Sequence, residues 1–113
     1  MASFKICVVG GHCGLRMMMV CEHLDELLHA AGYACQMSHQ SVWDHPAPPY
    51  AVNLVLQLLP AYTEEEAGCP VINIKPFIKD IDDPQTLERI FEHMRVAYPL
   101  AHAQPAMKLH MPV

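Results

Sequence analysis

Three short runs of almost unbroken apolar residues set the limits on what this chain can fold into: FKICVVGG (4–11), VNLVLQLL (52–59) and PVINI (70–74). None alternates apolar with polar, so none suits a strand with one face in water. Short β-branched runs that are apolar on both sides read as strands covered on both faces, the usual condition of a parallel sheet. A fourth segment, YACQMSH (33–39), can form another strand.

Between these runs the period changes. Met17, Val20, Cys21, Leu24, Leu27, Leu28 and Ala31 recur at steps of three and four, with Glu22, Asp25 and Glu26 largely opposite. That spacing predicts an amphipathic helix, and Gly32 is placed to end it in a left-handed conformation. Thr63 can cap a short helical turn over 64–67. Asp83 followed by Pro84 opens a last helix whose stripe is Leu87, Ile90, Phe91 and Met94, with Pro99 as its expected stop. SVWDHPAPPYAV (41–52) holds three prolines and reads as a loop wrapping an edge of the sheet.

The order of elements predicts a doubly wound α/β domain, a four-stranded parallel sheet with helices on both faces, over residues 1–98. Residues 99–113 show no clear period and are expected to form a mobile tail. At 113 residues, 52% of them apolar, the chain is long enough to cover such a sheet. A net charge of −5 without a basic stripe argues against nucleic acid, since neutralising phosphates takes clustered Lys and Arg. No apolar run has the length of a membrane span and no cleavable signal pattern is seen, so a cytoplasmic protein is expected. The five cysteines, odd in number and without a CxxC pair, are then free thiols.

The chemically suggestive segment is the first turn, VVGGHCGLRMMM (8–19). In a parallel sheet, ligands gather beyond the carboxyl ends of the strands. Free amides of Gly14, Leu15 and Arg16 at a helix start favour an anion there. Cys13 in such a position would lose its proton more readily, helped by Arg16, while His12 could add charge or move a proton. Gly10, Gly11 and Gly14 would supply the backbone cradle. The same glycines equally suit a tight corner with no ligand at all. GGHCGL does not match the dinucleotide pattern, no Walker loop occurs, and the arginine that a low-molecular-weight cysteine phosphatase needs six residues after its cysteine is Met19 here.

KICVVGGHCGLRMMM (5–19) and GCPVINIKPFIKDIDDPQTLERI (68–90) together resemble the enzyme IIB components of the bacterial sugar phosphotransferase system, of the galactitol type. Pro76-Phe77 after PVIN is the more specific part, and the likeness runs from about Lys5 to Met94. It implies a four-stranded parallel sheet and a cysteine that takes phosphate from a IIA protein and passes it to a sugar entering through the membrane IIC component. It implies no metal and no cofactor. The family's cysteine follows strand one directly, at position 9 or 10, and these are Val9 and Gly10 here. Cys13 is then the substitute acceptor with His12 and Arg16 in support, or else the module has lost transfer and only binds and regulates.

Other groups have simpler readings beside bolder ones. Met17, Met18 and Met19 read as core packing, or with His12, Cys13 and His23 as soft-metal ligands. His12, Cys13 and His39 are an alternative zinc or copper set. Glu64, Glu65 and Glu66 read as a solvated face or a docking edge. Trp43 and Tyr50 are expected to cover the edge of a core, or else to anchor a partner.

Overall fold

The computed structural model describes residues 4–11 and 14–110, with side chains through Ala101. Four strands, β1 (Phe4–Gly10), β2 (Cys35–Ser41), β3 (Leu54–Gln57) and β4 (Val71–Asn73), form one sheet in the order β2-β1-β3-β4, every pair parallel. After β2 the chain crosses back to the other side of β1, so its direction of travel across the sheet reverses between β1 and β3. That reversal opens a crevice at the carboxyl ends of the strands.

The helices are α1 (Gly14–Ala30), the single turn α2 (Glu64–Ala67) and α3 (Pro84–His110), with a 3-10 turn over Lys75–Ile78. Both long helices lie on one face. Phe4, Ile6 and Val8 of β1 and Leu54 and Leu56 of β3 meet Met17, Val20, Leu24 and Leu28 of α1 and Ile90 and Met94 of α3, all buried. The opposite face is thin. Cys7, Val9 and Val55 are covered there by Val42, Val52, Tyr62 and Ala67, which belong to loops and α2. The expectation of helices on both faces therefore holds only through one helical turn on the second side. The proline-rich connection over 42–53 cannot form a helix and serves as the cover instead.

Local signals act where expected. Gly32 takes φ +93° and ends α1, with Tyr33 N–H donating to Leu28 O (2.9 Å). Thr63 Oγ1 accepts from Glu66 N–H (3.2 Å) while Glu66 Oε1 accepts from Thr63 N–H (2.9 Å), a reciprocal cap on α2. Asp83 Oδ2 accepts from Thr86 N–H (3.0 Å) at the start of α3.

The expected stop at Pro99 is corrected: α3 continues through it to His110. A proline inside a helix removes one hydrogen bond and crowds the carbonyl four residues back. Here Ala97, Tyr98 and Ala101 pack against the main core on either side of it. Tyr98 stacks edge-on to Tyr33 (centroids 4.9 Å apart), and its hydroxyl accepts from Ala34 N–H (3.1 Å). Tertiary packing holds the helix through the break.

Candidate functional site

β1 ends at the foot of α1, as a strand–turn–helix unit requires. A cleft of about 430 Å³ opens there, walled by Gly11 and Gly14 on one side and by His39, Trp43, Asp44 and His45 on the other. The turn after β2 is tied to the turn after β1. Val42 N–H donates to Gly10 O (3.0 Å), and Ser41 Oγ donates to Gly11 O (2.9 Å) while accepting from Trp43 N–H (3.1 Å). The cleft wall is thus held by hydrogen bonds rather than by packing alone.

The predicted cradle residues have separate functions. A Cβ on Gly10 would stand 2.8 Å from Met17 Cγ and Sδ, so Gly10 lets α1 close onto the strand end. Gly11 lies under the Trp43 indole, whose Nε1 would be 3.4 Å from a Cβ there. Gly14 has open space around it at the first residue of α1, and Leu15 beside it is exposed. The amides of Gly14, Leu15 and Arg16 belong to the first turn of a 17-residue helix, where backbone N–H groups lack partners inside the helix. His12 and Cys13, the two central residues of the predicted site, lie outside the described residues.

The remaining thiols are unsuited to nucleophilic chemistry. Burial pushes the Cys21 thiol up to about 12 and the Cys35 thiol up to about 11, and raises those of Cys7 and Cys69 as well. A thiol that stays protonated is a poor nucleophile. Cys21 Sγ–H donates to Ser38 O (3.4 Å) and packs between α1 and the sheet.

Among the predicted alternatives, only Met17 of the methionine run is core; Met18 and Met19 are 46% and 42% exposed, which corrects the packing expectation for both. Adjacent helical positions point apart, so one of three could be buried. His23 Nε2 meets Asp82 Oδ1 at 2.5 Å, joining α1 to the segment before α3. Among the described residues no three His, Cys, Asp or Glu side chains gather as a metal site would need. Tyr50 is 94% exposed and covers no core edge, and Trp43 is a wall of the cleft instead. Two of the three glutamates have local functions: Glu66 closes the α2 cap, and Glu64 Oε2 accepts from Val71 N–H (3.1 Å).

Sequence reasoning brought His39 to this end of the sheet but missed Asp44 and His45 on the far wall of the cleft. Asp44 and His45 reach the site because both their amides donate to Ser41 O (3.2 and 2.8 Å), folding the start of the proline-rich loop back over the strand ends. The available signal was position: the loop leaves the carboxyl end of a strand adjacent to β1.

Among the described residues no helix is long and apolar enough to cross a membrane. No protein family, curated protein or solved structure gives a match to this chain.

Proposed function

We propose that this chain is a phosphoryl carrier of the enzyme IIB kind, galactitol type, with Cys13 as its acceptor. The observation that carries the reading is the withdrawal of the other thiols. Burial raises the thiol pKa of Cys7, Cys21, Cys35 and Cys69 and keeps them protonated, while a cleft lined by Gly11 and Gly14 opens at the amino end of α1. An anion is favoured at such a helix end, both as thiolate and as bound phosphoryl group. In the proposed step the Cys13 thiolate attacks phosphorus of the phosphorylated IIA donor. The S–P bond forms as the donor's bond to phosphorus breaks, and the donor group leaves with the electron pair. A sugar hydroxyl delivered by the IIC component later takes the phosphoryl group and the thiolate is regenerated. His12 accepts the thiol proton and Arg16 offsets the phosphoryl charge. The parallel four-stranded sheet supports the same reading, because it is the architecture that the resemblance implies.

The test is incubation with a phosphorylated IIA protein followed by intact mass measurement. Addition of one phosphoryl group, lost in Cys13→Ser, is expected. An unmodified wild-type protein, under conditions that label an authentic IIB protein, overturns transfer.

One observation favours a second reading, a IIB-like module that binds a partner without transferring phosphate. The family's acceptor position is closed here: Val9 is fully buried, and a side chain at Gly10 would collide with Met17. On this reading Cys13→Ser leaves partner binding intact, and its loss in that variant rejects the module.

A further inference from the structure

The two edges of the sheet are finished differently. In a parallel ladder alternate residues turn their N–H and C=O groups to opposite sides. Ile74 N–H donates to Gln57 O (2.8 Å), so Val71 and Asn73 of β4 face outward. One polar group of each is taken by a side chain: Glu64 Oε2 accepts from Val71 N–H (3.1 Å), and Arg89 Nη2 donates to Asn73 O (2.7 Å). Such capping blocks the addition of another strand.

The β2 edge has no such caps. Val42 N–H donating to Gly10 O (3.0 Å) fixes the parity, so Gln36, Ser38 and Gln40 face β1 while Cys35, Met37, His39 and Ser41 face outward. Ser41 O is closed by the turn that follows, through Asp44 and His45 N–H. Among the described residues no hydrogen bond reaches the outward N–H and C=O of Met37 or His39. The strand carries no Lys, Arg, Asp, Glu or Pro, and its seven-residue register with β1 runs without a bulge. Gln36, Ser38 and His39 are exposed. This is an open, uncharged edge of the sort that proteins otherwise protect.

We propose that this edge pairs with a second copy of the chain, antiparallel, about a two-fold axis at Ser38, so that two four-stranded sheets become one. The strand is self-complementary in that register. It sets Met37 against His39, Gln36 against Gln40 and Ser38 against itself, and at each end Cys35 against Ser41, where Ser41 can offer only its N–H because its carbonyl is closed by the turn. Met37 and His39 both face outward, so their pairing is the hydrogen-bonded kind, each pair exchanging both N–H···O bonds, with Ser38 at the non-bonded position on the axis. The Gln36 and Gln40 amides can bond across the junction, and no charge meets its like although each chain carries −5. The contact uses the same surface on both copies, so it closes at two and leaves the blocked β4 edges outermost.

Sedimentation of the full chain over a range of concentrations tests this, with Ser38→Lys and Ser38→Glu as variants whose folding is checked by circular dichroism. Each variant places identical charges opposite one another on the axis. The wild type is expected to be a dimer, each variant alone to dimerise at least tenfold more weakly, and an equimolar mixture of the two to recover the dimer. A wild type that stays monomeric overturns the proposal, including one that instead takes up an extended peptide along β2. So do charged variants that remain dimers, or a mixture that does not recover. Hydrogen exchange on the wild type gives an answer independent of the variants: the Met37 and His39 amides should be protected, more so at higher concentration. Fast exchange at both positions under all conditions counts equally against the pairing.

Discussion

Met17 fills the space that a side chain on Gly10 would need, its Cγ and Sδ standing 2.8 Å from the position of a Cβ there. The contact joins the last residue of β1 to the first buried residue of α1 and sets how closely the helix approaches the sheet. Gly10→Cys, which would place a side chain at the end of the strand, is therefore expected to cost about 1–3 kcal/mol through overpacking. Met17→Ala in the same chain should relieve much of that cost, so the two changes are non-additive. A double-mutant cycle by urea unfolding measures the coupling, and additive effects would show that the two sites are independent.

The buried thiols predict alkaline sensitivity. Cys21 is held protonated in the folded chain up to about pH 12, against a reference of 9.0, so the unfolded chain releases this proton first as pH rises. Stability is then full below pH 9 and falls as pH climbs toward the folded value, by up to about 1.4 kcal/mol per pH unit for this one group. Cys21→Ala should flatten the stability profile between pH 9 and 11 while lowering its plateau through lost packing. An unchanged slope in that variant would remove Cys21 as the cause. Native alkylation followed by peptide mapping should also leave Cys21 and Cys35 unmodified at neutral pH.

His93 Nε2 is buried without a hydrogen-bond partner, beside a hollow of about 460 Å³ between β4 and α3. Burial lowers its pKa below 6.5, partly opposed by the Glu64 carboxylate. The unfolded chain then binds the proton first as pH falls, so stability declines from about pH 6.5 down to the folded value. His93→Leu removes both the proton linkage and the unpaired nitrogen. It should raise stability by about 1 kcal/mol at pH 7 and more at pH 5, and thermal unfolding at the two pH values checks the difference.

Much of the fold was legible because its signals are local. Thr63 and Glu66, Asp83 and Thr86, and Gly32 each act within a few residues of chain, where sequence spacing and spatial distance nearly coincide. Three of the four strands followed from nearly unbroken apolar runs and β2 from a weaker, more polar segment, yet the unequal cover of the sheet did not follow, since only packing shows α1 and α3 sharing one face. The site was half legible. The carboxyl end of β1 was found from glycine spacing, but the wall of Trp43, Asp44 and His45 depends on hydrogen bonds to Ser41 across the sheet. The methionine run misled because three apolar neighbours on a helix point in three directions, and only Met17 could reach the core.

Pro99 shows how packing can override a local signal and predicts a gain in stability. The residue is exposed within α3, while Ala97, Tyr98 and Ala101 beside it are packed against the core and the Tyr98 hydroxyl is held by Ala34. Proline in a helix interior costs about 3 kcal/mol relative to alanine, from the lost hydrogen bond and ring crowding. Because Pro99 is exposed, Pro99→Ala should return much of that cost, about 1–3 kcal/mol. The gain depends on the helix continuing past this point. Were α3 to end at Tyr98, proline would sit at a favourable stop and its replacement would be neutral or slightly harmful. Urea unfolding of Pro99→Ala with far-ultraviolet circular dichroism therefore reads the course of the helix: higher stability at unchanged helicity is expected, and unchanged or lower stability would place the end of the helix before Pro99.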